Sequence, residues 1–362
     1  MDYPFESISV NGRDVNVAAI IKGTEKPRTE FEDTTFGFLQ NWFRGNEEFH
    51  LQTSGSTGTP KRIAVHRWQM EASAEATRRA LQLSSGGNSL ACLDTRYVAG
   101  QMMLVRSLLF GMRVHAIEPT ANPLEVVSPD NTFVLSALVP YQLQKIVESD
   151  LQNRLSSIDT VIVGGSAVSS EIIRRLDAFS TRIFATYGMT ETLSHVALRR
   201  LNGPDKSDLF HALPGVTLDV DHRGCLKIEV SYLQRNVITN DLVELVGESA
   251  FRWLGRADFV INSGGVKVSP EAVEARLESF KTGLNLHGRF VVSSVPDSEL
   301  GERIVLVVEG TTLDEDARLE LFAAFRKELP RFERPKEIFS IPRFPETATG
   351  KIDRLFIRKL LS

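Results

Sequence analysis

Between Thr53 and Lys61 the chain reads Thr-Ser-Gly-Ser-Thr-Gly-Thr-Pro-Lys, a run of hydroxyl side chains with two glycines and a closing lysine. Gly55 and Gly58 let backbone amides approach an anion with no Cβ in the way. The side chains of Thr53, Ser54, Ser56 and Thr57 donate hydrogen bonds, and Lys61 brings positive charge. Such a loop suits a polyphosphate. A flexible Gly/Ser linker is the plain alternative, but linkers seldom close on Pro-Lys. A Walker-type loop does not fit, because it needs Gly-Lys-Ser/Thr leading into a helix, whereas Pro60 precedes Lys61 and Arg62 follows it.

Other groups with chemical potential lie downstream. Tyr187-Gly-Met-Thr-Glu191 follows a predicted strand, Arg182–Tyr187, and loops at the carboxyl ends of parallel strands are where such sheets hold ligands. The Glu191 carboxylate suits a hard cation that also bridges phosphate oxygens, although an isolated glutamate there would read as a solvated helix-start charge. Thr239-Asn-Asp241 ends on a pair of acceptor oxygens able to hold a vicinal diol; taken alone, Asn-Asp is a turn signal. Lys351, in Pro345-Glu-Thr-Ala-Thr-Gly-Lys351, could bind carboxylate and phosphate oxygens together and offset their repulsion, where an arbitrary lysine would be a surface charge. Trp42, Trp68 and Trp253 read as packing residues, and His66, His115 and His222 lack metal-ligand spacing.

These residues need elements to position them. The spacing predicts strands at Ser89–Asp94, Arg113–Glu118, Thr132–Val139, Thr160–Gly165 and Arg182–Tyr187, with helices at Trp68–Leu83, Gln101–Phe110, Tyr141–Ser149 and Ser169–Phe179. This alternation predicts an α/β fold, a mostly parallel sheet covered by helices. After Leu213-Pro-Gly the pattern becomes β-runs joined by turns, Val216–Asp221, Cys225–Val230 and Leu242–Leu245, with a turn at Asp221-His-Arg-Gly224; an antiparallel β subdomain is expected. A smaller α+β domain follows: a helix opened by Ser269-Pro270, strands Arg289–Ser294 and Ile304–Val308, and a helix from Asp314 to Leu329. The expected division is 1–255 and 256–362, joined by a short hinge.

Composition narrows the classes. The 362 residues are 42% apolar and carry 42 basic against 46 acidic side chains, a net charge of −4, so no cationic face for nucleic acid is implied. Cys92 and Cys225 are too few for a disulfide framework or a zinc site. The start of the chain does not read as a secretory signal, and Arg106, Gly111 and Arg113 break the most apolar stretch below the length of a membrane span. A cytoplasmic location fits, and homo-oligomerisation stays open.

With its phosphate-type loop and the motifs that follow in order, the chain resembles the superfamily of acyl-CoA synthetases, peptide-synthetase adenylation domains and firefly luciferase. The resemblance implies a large adenylation domain and a small mobile C-terminal domain, with ATP and Mg²⁺ as cofactors and CoA as co-substrate. It implies that Tyr187 stacks near adenine, Thr190 contacts the α-phosphate, Glu191 binds Mg²⁺ and Asp241 holds the ribose hydroxyls. In Gly255-Arg-Ala-Asp-Phe-Val-Ile-Asn-Ser-Gly-Gly265 it makes Arg256 the arginine near the ribose, Asp258 the hinge, and Ser263, Gly264 and Gly265 part of the CoA tunnel. Lys351 becomes the catalytic lysine.

Within the superfamily the chain is similar to o-succinylbenzoate-CoA ligases of menaquinone biosynthesis. The likeness lies in Arg96-Tyr-Val-Ala-Gly-Gln-Met-Met-Leu-Val-Arg106, Thr192-Leu-Ser-His-Val-Ala-Leu-Arg199 and Leu213-Pro-Gly-Val216. The phosphate loop arrives early, implying a shortened N-terminal lobe. That substrate keeps a second carboxylate ionised, which needs a cation or several donors. The candidates are Arg96, Tyr97, Gly100, Arg106, His195 and Arg199, with Gly164, Gly165 and Ser166 as a close-approach wall. The same chemistry on another aryl or aliphatic acid is an alternative, as is a nucleotide or acyl-CoA binding protein without turnover.

Overall fold

The computed structural model describes residues 3–52, 62–281, 284, 286, 288–310, 313–346 and 352–361. Its contacts divide into two compact units. One comprises Met1–Leu218, Ile228–Val237 and Val246–Phe251; the other comprises Asp219–Lys227, Ile238–Leu245 and Arg252–Ser362.

The first unit opens with β1 (Ser7–Val10), β2 (Arg13–Asn16), α1 (Val17–Lys22) and α2 (Glu30–Phe43). β3 (Glu48–Gln52) and β4 (Arg62–His66) then pair as a separate two-stranded ribbon. The βα succession follows: α3 (Arg67–Leu81), β5 (Asn88–Ala91), α4 (Val98–Leu109), β6 (Arg113–Ala116), β7 (Phe133–Leu138), α5 (Pro140–Glu148), β8 (Ile158–Val163), α6 (Ser170–Arg175) and β9 (Arg182–Gly188). β10 (His195–Arg200) and β11 (Phe210–Ala212) complete it. The strands lie in the order β11-β10-β9-β8-β7-β5-β6-β1-β2. From β9 to β6 every neighbouring pair is parallel, as the alternating pattern requires, and β1 extends the parallel set beside β6. β10 turns back antiparallel on β9.

The central strands are buried on both faces. Along β8, Val161 and Val163 enter one apolar cluster with residues of α5 and α6, while Ile162 enters another with residues of α2, α3 and α4. That alternation makes three layers, helices on each side of a sheet. α4 is buried from Gly100 to Leu108, which a helix apolar all round demands.

β12 (Val216–Val220), β13 (Cys225–Val230), β14 (Val237–Val246) and β15 (Ala250–Arg256) are shared between the units. The second unit continues with β16 (Ile261–Ser263), β17 (Val266–Val268), α7 (Pro270–Phe280), β18 (Phe290–Asp297), β19 (Gly301–Glu309), α8 (Glu315–Glu328), β20 (Glu337–Ile341) and α9 (Arg354–Leu361). Ser269 caps α7, accepting from the Ala272 N–H, with Pro270 in the first turn. β18 and β19 pair antiparallel over their whole length, and β20 runs parallel to β19. Val292, Leu306 and Val308 pack with residues of α7 and α8, whereas Val291, Val305 and Val307 pack with Ile357 of α9. Among the described residues no helix is long and apolar enough to cross a membrane.

Candidate active site

β8 and β9 are parallel neighbours, so the segments that leave their carboxyl ends, Gly164–Ser166 and Tyr187–Glu191, share one rim of the first unit. Glycine is required there by contact. A Cβ on Gly164 would lie 2.5 Å from Thr186 Oγ1, and one on Gly188 would lie 2.5 Å from the Ser194 carbonyl oxygen and crowd His195 Cα. Gly165 has φ +98°, and both Gly165 and Ser166 are exposed. Tyr187 stands edge-on to Phe251 and Phe210, with centroids 5.0 and 5.8 Å away, and those two rings stack on each other.

Beyond Gly188 the chain makes a 3₁₀ turn, Thr190–Thr192, presenting Glu191 to solvent. Thr192 Oγ1 holds this turn through the Met189 N–H at 2.9 Å and the Ser194 carbonyl at 2.7 Å. Leu193, buried at φ +68°, is forced into a region that costs a non-glycine residue about 1–3 kcal/mol. Among the described residues no cluster of His, Cys, Asp or Glu could hold a metal by itself. Exposed Glu191 offers a solvent-facing hard oxygen ligand of the kind that would hold Mg²⁺ beside a bound polyphosphate.

Behind this turn Arg106 is buried, with 2% of its surface exposed. Its Nη2 donates to Ser194 Oγ at 2.8 Å and lies 3.5 Å from His195 Nδ1, while its Nε has no hydrogen-bond partner among the described residues. No carboxylate among the described residues forms an ion pair with it. Burial pulls its pKa down to about 10. His195 is held well below its usual 6.5, first by burial and then by the Arg106 charge, so its imidazole is neutral. The contacts assign the tautomer: Nδ1 accepts from Arg106, Nε2–H donates to Thr77 Oγ1 at 3.1 Å, and the Thr77 hydroxyl donates to the Ser73 carbonyl. Among the described residues Gln101 Oε1 is also buried without a hydrogen-bond partner.

The other acid-binding candidates stand apart from this pair. Arg96 is committed to Asp94 and, at 2.9 Å, to Glu30. Arg199 lies over the Phe210 ring at 5.2 Å, and burial lowers its pKa. Tyr97 precedes α4 and lines an apolar cavity of about 390 Å³ with Leu93, Pro119, Val139 and Tyr141, at the carboxyl ends of β5, β6 and β7. Gly100 lets α4 approach the Asp94 backbone, where a Cβ would lie 2.6 Å from its carbonyl carbon.

The second unit gathers Asp241, Arg256 and Asp258. Arg256 reaches Asp241 Oδ1 at 3.9 Å through Nη1 and Asp258 Oδ2 at 2.5 Å through Nη2. Asp241 is buried, and its N–H donates to Thr239 Oγ1. Two further residues, absent from the sequence expectations, join them: Asn240 donates to the Asp258 carboxylate, and Arg223 donates to Asn240 Oδ1 at 3.1 Å and the Thr239 carbonyl at 3.2 Å. In the sequence Arg223 signals only a turn. Ser263 ends β16, and Gly264 and Gly265, at φ +59° and +79°, form the two-residue turn into β17.

Thr53, Ser54, Gly55, Ser56, Thr57, Gly58, Lys61 and Lys351 lie outside the described residues. Their flanks are described. Gln52 pairs with Arg62 across β3 and β4, and Glu346 bridges Ile352, with the Asp353 N–H donating to the Pro345 carbonyl.

Residues 49–222 match the sequence profile of AMP-binding enzymes. A crystal structure of an acyl-CoA synthetase (AMP-forming)/AMP-acid ligase II-like protein from Dyadobacter fermentans is 40% identical, covers 94% of this chain and 97% of its own, and superposes with a TM-score of 0.63. The 2-succinylbenzoate–CoA ligase of Escherichia coli K12 is 29% identical across 83% of this chain, which spans 65% of that relative's length. A probable 2-succinylbenzoate–CoA ligase of Mycobacterium tuberculosis is 28% identical, with 84% and 82% covered. The o-succinylbenzoate CoA synthetase of Bacillus subtilis, solved with ATP and a magnesium ion, shares the fold at a TM-score of 0.69 and 19% identity, with 86% of this chain and 69% of that one covered. Matched to the Dyadobacter protein over nearly the whole of both sequences, this chain belongs to the AMP-forming acyl-CoA synthetases.

Proposed function

We propose that this chain uses ATP to activate a carboxylic acid as its acyl-adenylate and then passes the acyl group to CoA, and that the acid is o-succinylbenzoate. The observation that carries the substrate reading is Arg106, a buried guanidinium with neutral neighbours and an unsatisfied Nε. A buried, unpaired cation costs several kcal/mol, roughly, and a substrate that brings its own second carboxylate offsets that cost. Neutral His195 leaves the positive charge with Arg106. The names of the relatives support the same acid.

In this reading the Thr53–Lys61 segment cradles the triphosphate, Tyr187 packs by the adenine, and Asp241 with Arg256 holds the ribose. One carboxylate oxygen of the acid attacks the α-phosphorus, the bond to the bridging oxygen breaks, and pyrophosphate leaves. Lys351 binds the acid and the α-phosphate as negative charges converge, with Thr190 on the α-phosphate. Mg²⁺ at Glu191 would supply neutralisation of the phosphate charge. The small domain, residues 256–362, then turns about Asp258, and the CoA thiolate attacks the acyl carbon and expels AMP beside Ser263–Gly265. Cys92 and Cys225, both buried and free, support a reducing, cytoplasmic setting.

The test is pyrophosphate release across a panel of aryl, short-chain and fatty acids, with and without CoA. Adenylation confined to o-succinylbenzoate, with CoA thioester formed only when CoA is added, is the expected result. Preference for an acid with a single carboxylate overturns the substrate, and ATP binding without turnover overturns the enzyme.

A further inference from the structure

Asp258, read above as the hinge, sits in a 3₁₀ turn, Ala257–Phe259, between β15 and β16. A side chain that serves as a pivot gains by being free to move, yet this carboxylate is held from two directions. Arg256 Nη2 meets Oδ2 at 2.5 Å, and Asn240 Nδ2 reaches Oδ1 at 3.1 Å and Oδ2 at 3.3 Å. Asn240 is itself fixed. Its Oδ1 accepts from Arg223 Nη1, and Arg223 is tied by Nη2 to the Thr239 carbonyl and by Nε to Asp221 Oδ2 at 2.8 Å. The amide is the one group of this size that suits both neighbours, because its oxygen faces a guanidinium and its nitrogen faces a carboxylate. Aspartate would satisfy Arg223 and repel Asp258; alanine would satisfy neither.

We propose that Asn240, buttressed by Arg223, is a positioning residue that latches the hinge carboxylate, so that turning the hinge requires breaking the Asn240–Asp258 contact. Asn240 precedes Asp241, the residue given the ribose, and Arg256 is shared between Asp241 and Asp258. The nucleotide site and the hinge therefore draw on one network: a ribose that recruits Arg256 leaves Asn240 as the remaining clamp on Asp258. This inference rests on the proposed reading for the hinge role of Asp258 and for its kinetic consequence.

Two measurements on the full chain test it, with Asn240→Ala and Asn240→Asp. In hydrogen exchange, the amides of 258–260 should exchange about two- to tenfold faster in Asn240→Ala than in the wild type, the range expected for one lost hydrogen bond, and at least as fast in Asn240→Asp. In single-turnover assays, the ratio of the adenylation rate to the rate of CoA transfer from supplied acyl-adenylate should shift by a similar factor, in the same direction for both variants, with the KM for ATP unchanged. Unaltered exchange, or an equal fall in both half-reactions, overturns the latch. If the wild type forms no adenylate, the ligase reading and with it the hinge fail, and exchange decides only whether Asn240 holds the Asp258 carboxylate.

Discussion

Arg106 and His195 meet with Nη2 and Nδ1 3.5 Å apart, inside a shell that offers the arginine hydroxyl and imidazole acceptors and, among the described residues, no anion. The pair joins the last turn of the buried helix α4 to the first residue of β10, just past the strained Leu193 turn.

Arg106→Met should separate stability from recognition. An apolar side chain of similar volume removes a buried charge, so the ligand-free protein should melt at an equal or higher temperature, in line with gains of about 1–4 kcal/mol when buried ions are replaced. On the proposed substrate reading, the KM for o-succinylbenzoate should rise by roughly 100-fold or more, with little change for ATP, as expected if the ring carboxylate loses its counter-charge. Loss of stability together with a uniform loss of both affinities would assign Arg106 to folding.

His195 sets an acid limit on stability. Its folded pKa lies well below 6.5, so under acid conditions the unfolded chain takes up a proton that the folded chain refuses. The contribution is fully present above 6.5 and is lost as pH falls below it, at about 1.4 kcal/mol per pH unit until the folded pKa is reached. Urea unfolding of His195→Gln between pH 7.0 and 5.0, values chosen as roughly bracketing the free imidazole, should therefore show a shallower decline than the wild type. Parallel curves would mean that the ring takes up its proton alike in the folded and the unfolded chain.

The two rim glycines should differ in tolerance. In Gly188→Ala the new methyl meets the backbone of Ser194 and His195, which cannot retreat without shifting β10, so a loss of several kcal/mol, about 2–4, is expected. In Gly164→Ala it meets only the Thr186 hydroxyl, and adding Thr186→Ala should restore most of the melting temperature. Equal damage at both sites would discount the contact geometry.

Lys351→Ala divides the proposed reaction. Adenylate formation should fall by at least about 100-fold, the scale of a lost transition-state charge contact, while CoA transfer from supplied acyl-adenylate persists. The measurements are pyrophosphate release and thioester formation in single-turnover mode.

Much of this structure could be read from residue order. The parallel core follows from apolar runs such as Thr132–Val139, whose strand is Phe133–Leu138, and Thr160–Gly165, whose strand is Ile158–Val163. The Ser269-Pro270 start places α7 where it lies. The first forty-nine residues were less legible. β1 is four residues long, and its parallel partner, through Ser9 and His115, lies over a hundred positions away, beyond any local pattern. The site shows the same divide. Gly164 and Gly188 are visible as residue types, but the need for them comes from Thr186 and Ser194 on neighbouring strands. Four cationic or imidazole candidates for the acid could not be ranked by spacing, because what distinguishes Arg106 from Arg96 is the carboxylates around one and not the other.

The β3–β4 ribbon stands outside the large sheet, and its ladder runs without a break from Glu48↔His66 to Gln52↔Arg62. Nine residues, 53–61, separate the two strands in sequence. In the proposed reading those residues cradle the triphosphate while Tyr187 packs by the adenine, so exchanging them should alter the KM for ATP without touching a strand of the large sheet.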